Sequence, residues 1–418
     1  MAVVLALVAL AVLAALVALH WYAWRRLVRD TTRGPGPARR TGTALLVTGP
    51  VLMVAALVAE RAGAPFWLQR VLGWPGFLWM ALTLYLLLAL VAGELVRPLV
   101  RRLVERRARA EEKAPVPAAV PTGRAPAEPE PADPEPAPPQ EQSAPSRRLF
   151  VSRVVGGAVA ATAVGTVGYG TYGVLRGPAV KRVTVPLAKL PRAAHGFRIA
   201  VVSDIHLGPV LGRSFAQKVV DTINSTQPDL VAVVGDLVDG SVKDLGPAVA
   251  PLSRLKARHG SYFVTGNHEY FSGADQWVEE VRRLGLHPLE NARTELPAFD
   301  LAGVNDLAGE SEGEGPDFTK ALGDRDTSRA VVLLAHQPLQ VHEAVRHHVD
   351  LQLSGHTHGG QLWPGNFVAA AANPTVAGLD RYGDTQLYVS RGAGAWGPPT
   401  RVGAPSDITV IELVSRQA

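Results

Sequence analysis

Five short motifs in the second half of the chain carry side chains that bind metal ions or transfer protons. They are Asp204-Ile205-His206, Gly235-Asp236-Leu237-Val238-Asp239-Gly240, Gly266-Asn267-His268-Glu269, His336 and Gly355-His356-Thr357-His358. Each motif follows an apolar run that predicts a buried strand. Because open α/β sheets place ligands beyond the carboxyl ends of their strands, one fold can bring all five motifs together. Two divalent cations held by Asp, His and Asn are suited to the hydrolysis of phosphate esters.

The spacing within the motifs favours metal binding. Asp204 and His206 are separated by one residue, so both can enter one cavity as the chain leaves its strand. Asp236 follows a glycine turn, where a carboxylate can bridge two cations through its two oxygens. Asn267 offers a neutral amide oxygen that limits the total negative charge. His356-Thr357-His358 has the spacing for two imidazoles in an extended loop.

The elements around these motifs predict an α/β fold. From Lys181 onward, short β-branched runs alternate with amphipathic stretches. The predicted strands are 197–202, 230–234, 262–264, 298–304, 330–334, 351–353, 387–389 and 408–413. The predicted helices are 215–225, 247–257 and 275–284. This alternation is typical of layered α/β domains.

Composition separates the two halves of the chain. Residues 1–180 carry 20 basic and 11 acidic side chains, whereas residues 181–418 carry 22 and 26. The predicted catalytic half is therefore net acidic, which argues against a nucleic-acid-binding domain. The chain has no cysteine, so any metal must be held by nitrogen and oxygen ligands.

The first half predicts a membrane region. Four apolar runs are candidate membrane spans: Ala2–Leu19, Ala44–Ala59, Phe77–Ala92 and Val151–Val174. The first of them is too long for an ordinary cleaved signal peptide and lacks a basic segment before it. The basic loops Arg25–Arg40 and Arg97–Lys113 are expected in the cytoplasm, and the nearly balanced Glu60–Arg70 loop outside.

A tract rich in Pro, Ala and Glu joins the third and fourth spans and predicts a disordered linker. Arg147 and Arg148 then precede the last apolar run, either as a twin-arginine-like export signal or as an ordinary basic flank. Both alternatives leave the chain beyond Arg176 outside the cytoplasm. The predicted regions are a membrane region at 1–104, a linker at 105–146, a fourth span or signal anchor at 147–180 and a catalytic domain at 181–418.

Together the motifs resemble the calcineurin-like metallophosphoesterase family, over about Phe197–Leu413. The stretches from Leu334 to Pro338 and from Gly355 to Gln361 resemble the bacterial membrane-associated or exported branch of that family. The resemblance implies a β-sandwich flanked by helices, a four-layer α/β/β/α fold. It also implies a hydrolase acting on ester bonds of phosphate.

Carried onto this sequence, the family pattern assigns two metal ions. One would be bound by Asp204, His206, Asp236 and His358. The other would be bound by Asp236, Asn267, His336 and His356. His268 would act beside the scissile phosphate without binding metal, and Asp239 and Glu269 would orient the ligands. Ligands rich in histidine suit Mn, Fe or Zn.

The substrate is less well defined by the sequence. Arg391 follows a predicted strand and could bind a phosphate oxygen. Trp363, Phe367 and Trp396 are either packing residues or an apolar lip that meets lipid. A domain tethered to a membrane favours a lipid-linked or cell-envelope phosphodiester, with no obligate protein partner indicated. The alternative is a membrane sensor or scaffold whose metal-binding domain has little or no turnover.

Overall fold

The computed structural model describes residues 2–112 and 147–416 of the 418-residue chain. Contacts divide the chain into two compact units. The described residues of the first unit lie within Met1–Thr48 and Leu84–Ala163, and those of the second lie within Gly49–Thr83 and Val164–Ala418. The second unit therefore contains the predicted catalytic domain together with part of the predicted membrane region.

The described part of residues 2–175 contains four α-helices: α1 (Ala2–Trp24), α2 (Pro37–Arg61), α3 (Phe66–Glu112) and α4 (Arg147–Leu175). Among the described residues, three helical stretches are long and apolar enough to cross a membrane: Pro37–Arg61, Phe66–Arg107 and Arg147–Leu175. They contain the second, third and fourth predicted spans. The first predicted span lies within α1.

The predicted linker begins too early. Residues 105–112 are the last turns of α3, because they consist of strong helix formers without a proline. Arg101 Nε also lies 2.8 Å from Glu105 Oε1, one helical turn away. Residues 113–146 of the predicted linker lie outside the described residues.

Within the first unit, polar groups near the helix ends are paired. Arg26 Nη2 donates to Glu94 Oε2 at 2.7 Å, and Trp24 Nε1 donates to Thr43 Oγ1 at 2.8 Å. Arg153 Nε donates to the backbone oxygen of Thr31 at 3.0 Å. These contacts link the end of α1 and the segment that follows it to α2, α3 and α4.

Twelve strands form two sheets in the second unit. They are β1 (Ala179–Leu187), β2 (Phe197–Val202), β3 (Leu230–Val234), β4 (Ser261–Val264), β5 (His287–Pro288), β6 (Ala292–Glu295), β7 (Asp300–Gly303), β8 (Val331–Leu334), β9 (Leu351–Ser354), β10 (Gly378–Tyr382), β11 (Thr385–Val389) and β12 (Asp407–Ser415). The first sheet has the order β1-β12-β2-β3-β4-β5 and the second has the order β10-β11-β9-β8-β7-β6. Strands β2 to β5 are parallel, and so are β7, β8, β9 and β11.

The two sheets face each other across one buried cluster, which includes Val201 and Val234 from the first sheet and Leu334 and Leu353 from the second. The alternate side chains of each sheet pack outward against helices. The helices of this unit are α5 (Arg213–Ser225), α6 (Val242–Val249), α7 (Asn267–Ser272), α8 (Ala274–Arg283), α9 (Phe318–Leu322), α10 (Val341–Arg346) and α11 (Gly365–Ala372). The clusters under α5 and α8 on one side, and under α9 and α10 on the other, complete the predicted four layers.

One predicted helix was misplaced. Helix α6 begins at Val242 rather than at Pro247, and Pro247 lies inside it. Ser241 caps the helix, because its hydroxyl accepts from the backbone N–H of Asp244 at 3.3 Å and donates to the carboxylate of Asp244 at 2.8 Å. The spacing of Ser241 and Asp244 is a capping pattern that can be recognised in the sequence. It indicates that the helix begins before Pro247.

Candidate metal centre

The first group of predicted ligands lies where β2, β3 and β9 end. His206 Nε2 is 3.8 Å from Asp236 Oδ2, and Asp204 Oδ1 is 3.3 Å from His358 Nε2. The ring nitrogens Nε2 of His206 and His358 are 3.0 Å apart. Each of these four residues offers a ligand atom within 4.8 Å of the others. Four nitrogen and oxygen atoms in this arrangement can surround one cation.

A second group lies beside the first and shares Asp236. His336 Nε2 is 3.1 Å from Asp236 Oδ2, and His356 Nδ1 is 3.0 Å from Asn267 Oδ1. The ligand atoms of Asp236, His336 and His356 all lie within 4.8 Å of one another. The structure thus brings together all seven residues that the sequence predicts as ligands, in two groups joined by one carboxylate.

The backbone at these positions is held in an unusual conformation. Five of the seven predicted ligands have positive φ angles, namely Asp204 at 52°, His206 at 49°, Asp236 at 54°, His356 at 72° and His358 at 53°. A non-glycine residue in the left-handed region costs roughly 1–3 kcal/mol, and such residues cluster at functional sites. The surrounding structure stabilises these five residues in the strained conformation, and their side chains lie in the two ligand groups.

Two glycines make the close approach of the motifs possible. A Cβ on Gly266 would collide with the carboxylate of Asp236, and a Cβ on Gly355 would collide with Ser203 and the carboxylate of Asp204. The loops after β4 and β9 therefore pass directly against the carboxylates of the loops after β3 and β2. Only glycine fits at these two positions.

A buried carboxylate joins the loops from behind. Glu269 is fully buried and accepts hydrogen bonds from the backbone N–H groups of Asp236 at 2.9 Å, Leu237 at 2.8 Å and Gly266 at 2.7 Å. Burial raises the pKa of Glu269 to about 7, and the charge of Asp236 acts in the same direction. Through these hydrogen bonds, its side chain fixes the backbone of Asp236.

Asp239 positions two histidines at once. Its carboxylate lies 3.1 Å from Nδ1 of His206 and 2.6 Å from Nδ1 of His268. Burial would raise the pKa of Asp239, but the charge and hydrogen bond of His206, with those of His268, lower it to about 2. With Nδ1 bound to Asp239, each ring leaves Nε2 as its free ligating or proton-donating atom. His336 follows the same rule, because its Nδ1 donates to the backbone oxygen of Val234 at 2.9 Å.

His268 lies at the edge of the ligand groups, between two aromatic side chains. Its ring contacts Phe271 and Trp396 edge to face, at centroid distances of 5.4 and 5.5 Å. Burial alone would lower the pKa of His268, but the hydrogen bond and charge of Asp239 outweigh it and raise the pKa to about 9. The ring is therefore an acid at neutral pH, in a position from which it can donate a proton.

The charges of the bare site fit divalent cations. Asp204 and Asp236 are 0% and 2% exposed, and isolated buried carboxylates are costly unless positive charge faces them. The Nε2 atom of His336 is buried without a hydrogen bond of good geometry, although Asp236 is close. Burial together with the charge of neighbouring His336 lowers the pKa of His356 to about 4, so this ring is neutral and can ligate. These features are what a cation site requires.

Comparisons with known proteins agree with this geometry. The family profile described as calcineurin-like phosphoesterase matches residues 197–360. An uncharacterized metallophosphoesterase of Bacillus subtilis is 32% identical over 285 residues, which cover 65% of this chain and 98% of that protein. The chain belongs to the calcineurin-like metallophosphoesterase family.

Other metallophosphoesterases are also similar. A Helicobacter pylori (strain J99) protein, an uncharacterized metallophosphoesterase, is 37% identical over 250 residues, covering 59% of this chain and 67% of that protein. A zebrafish protein named "Transmembrane protein with metallophosphoesterase domain" is 40% identical over 259 residues. The match covers 59% of this chain and 59% of the zebrafish protein. These matches confirm the resemblance inferred from the motifs. The membrane-associated branch inferred from the sequence agrees with the name of the zebrafish relative.

Arg391, which the sequence predicts to bind a phosphate oxygen, lies beside Asp407 and Gly359. Its Nη1 lies 3.8 Å from Asp407 Oδ2, and its side chain packs over Gly359. It does not line the pocket beside His268. Its role in phosphate binding therefore remains a prediction from its sequence position.

A different arginine supports the ligands. Arg401 is 6% exposed and donates to the backbone oxygens of Gly394 at 2.6 Å and His358 at 2.9 Å. Its Nη2 lies 3.2 Å from Nδ1 of His358. Burial lowers the pKa of His358 well below its usual range, and the positive charges of His206 and Arg401 add to the effect. The sequence showed only an arginine in a Gly- and Pro-rich loop, with no signal of this role.

Proposed function

We propose that this protein is a membrane-anchored, metal-dependent phosphoesterase that uses two divalent cations. The observation that carries the proposal is the pair of ligand groups sharing Asp236, with His268 beside them. One cation would be held by Asp204, His206, Asp236 and His358. The other would be held by Asp236, Asn267, His336 and His356. The family membership supports the same reaction class.

The donor set restricts the metals. Histidine nitrogen with carboxylate and amide oxygen suits Mn, Fe or Zn better than Ca or Mg. Two such cations, when bound, lower the pKa of water and offset charge on phosphate oxygens. Asp239 and the backbone oxygen of Val234 hold His206 and His336 in the orientation that presents Nε2 to the metals. Such supporting contacts normally tune affinity for metal.

His268 supplies the proton. Because Asp239 holds its Nδ1, the proton available to substrate is on Nε2. In the reaction, a bond forms between a water oxygen and phosphorus and the ester P–O bond breaks. The leaving oxygen takes the proton from His268, and the proton released by the water restores the imidazolium. General acid catalysis of this kind contributes roughly 10²–10⁴-fold.

The apolar helices support a proposal for the location and for the substrate class. Three apolar stretches of the described chain can cross a membrane. The distribution of arginine favours a cytoplasmic Arg25–Arg40 segment and a catalytic domain outside the cytoplasm. An enzyme tethered there has lipid-linked or cell-envelope phosphodiesters within reach. The complete set of ligands favours turnover over a purely sensory or scaffolding role.

Alanine at two positions separates metal binding from catalysis. Asp236→Ala removes the shared ligand, so the protein should lose both bound metal and turnover. His268→Ala should keep metal but lose turnover by roughly 10²–10⁴-fold. Metal content is measured by elemental mass spectrometry and turnover with bis(p-nitrophenyl) phosphate.

His195→Ala changes an exposed histidine far from any motif and serves as the matched control. Near-normal turnover in the Asp236 variant would contradict the assignment. A wild-type protein that holds metal but hydrolyses no phosphoester would instead favour the sensor or scaffold.

The pH dependence tests the contact between Asp239 and His268. Asp239 raises the pKa of His268 to about 9, so the acid form persists in mildly alkaline solution and is lost as the pH rises through that value. Asp239→Asn removes the charge, so the pKa of His268 falls. The alkaline limb of the kcat/KM profile should therefore move to lower pH by at least roughly one unit.

Asp244→Asn changes a pocket carboxylate that bonds to Ser241 instead, and it should leave the limb in place. Metal content is measured for both variants, because Asp239 also contacts His206. An alkaline limb that stays fixed in the Asp239 variant would exclude His268 as the titrating acid.

Cysteine labelling tests the orientation, since the chain has no cysteine of its own. Ser253→Cys places a thiol on the surface of the catalytic domain, and Arg33→Cys places one between α1 and α2. In intact cells, a membrane-impermeant maleimide should label the first and spare the second. Both should be labelled after lysis, and the reverse pattern in intact cells would refute the extracytoplasmic location.

A further inference from the structure

A pocket of about 530 Å³ opens beside His268, and two distant parts of the chain form its walls. One wall comes from the catalytic domain and includes Ser241, Phe271 and Trp396. The opposite wall comes from residues 60–69, which we call the hairpin tip. The tip is the end of α2, the start of α3 and the short turn between them.

The hairpin tip and the start of α3 pack closely against the catalytic domain. Phe66 packs against the buried cluster that also holds Val202 and Phe215. A Cβ on Gly73 in α3 would lie 3.3 Å from Val210, and a Cβ on Gly397 would lie 3.4 Å from the terminal methyl of Met80. Gly397 directly follows Trp396, so α3 also braces the aromatic side of the pocket. The wall is part of the packed structure.

The hairpin tip lies between two helical stretches that are candidate membrane spans. Helices α2 and α3 each contain a stretch that can cross a bilayer, and the tip is where the first ends and the second begins. If both stretches span a bilayer, they leave the hydrocarbon near the tip. The pocket beside His268 would then open at the level of the membrane interface.

The side chains of the pocket suit an amphiphile. Phe271 and Trp396 are 74% and 48% exposed and present apolar rings directly next to His268. Glu60, Arg61 and Ser241 add polar groups along the same walls. A small soluble phosphoester would need none of this surface. An ester whose alcohol part extends from the phosphate toward a bilayer would be covered by it.

We propose that the hairpin tip is the specificity-determining wall of the substrate site, and that it receives the alcohol part of a phosphodiester resident in the membrane. This proposal rests on the proposed phosphoesterase function. The phosphate lies at the ligand groups, and the remainder of the substrate passes between the aromatic pair and the tip toward the interface. The membrane helices thus form part of the site in addition to anchoring it.

The test compares two substitutions in the tip of the full-length protein in detergent. Ala64 lines the pocket, whereas Ala62 is exposed in the same turn and does not. Ala64→Trp should raise the KM for phosphatidylglycerol or phosphatidylethanolamine in mixed micelles by ~10-fold or more, as steric exclusion from a pocket does. The ratio of kcat/KM for the phospholipid to kcat/KM for bis(p-nitrophenyl) phosphate should fall by ~10-fold or more. Ala62→Trp should change neither.

Two further measurements separate the role of the tip from misfolding of the variant and from the proposed function itself. Glu60→Gln preserves the shape of the wall and should raise the KM for phospholipid more than the KM for bis(p-nitrophenyl) phosphate, which guards against misfolding of the tryptophan variant. Deacylated, water-soluble counterparts of the same phospholipids should be poor substrates of the wild type. The role of the tip would be overturned if Ala64→Trp and Ala62→Trp had equal effects. It would also be overturned if phospholipids were neither hydrolysed nor inhibitory while bis(p-nitrophenyl) phosphate was hydrolysed. Failure to hydrolyse any ester with metal bound would overturn the proposed function itself.

Discussion

Asp236 is the carboxylate on which both groups of candidate ligands converge. It is 2% exposed, its backbone has a φ of 54°, and His206 and His336 approach the same oxygen. Burying an ionised carboxylate costs several kcal/mol unless positive charge compensates it. Three features of the surrounding structure position and stabilise this buried carboxylate. Glu269 fixes the backbone of Asp236, Gly266 allows the neighbouring loop to approach, and the histidine rings provide sites for cations.

The sandwich explains how residues from distant motifs reach this carboxylate. Strands β2 and β3 are parallel neighbours in one sheet, and β8 and β9 are parallel neighbours in the other. Their carboxyl ends meet at one edge, where the loops after them carry the ligands. Asp204 N donates to the backbone oxygen of Gly235, and Gly355 N to that of His336. These backbone bonds tie the ends of adjacent strands together, so the ligand positions depend on the register of both sheets.

Much of this site could be predicted because its signals are local. Strands β2 and β3 are short, mainly apolar runs that contain several β-branched residues, and their predicted bounds agree with the structure. Strand β1 was missed, because an edge strand carrying Lys181 and Arg182 lacks a continuous apolar run. Contacts between distant segments leave no local pattern. Neither the buried role of Arg401 nor the placement of the hairpin tip beside His268 could be read from spacing.

Helix α4 also contacts the loop that supports the ligands. Arg401 N donates to the backbone oxygen of Gly170 in α4 at 3.3 Å, and Thr171 pairs with Thr400 through their hydroxyls at 2.7 Å. A Cβ on Gly170 would approach the backbone oxygen of Arg401 at 2.7 Å. Since Arg401 also holds His358, α4 is coupled to one candidate ligand by a short chain of contacts. The last part of α4 and the catalytic site therefore belong to the same compact unit.

The central claim is that Asp236 joins two cations in one site. Low-temperature electron paramagnetic resonance of the manganese-loaded, full-length protein tests it most directly. Two ions bridged by a carboxylate and separated by ~3.5–4 Å should give two equivalents of manganese per chain and a spin-coupled signal. A single equivalent, or two with only the signal of isolated ions, would contradict the shared site.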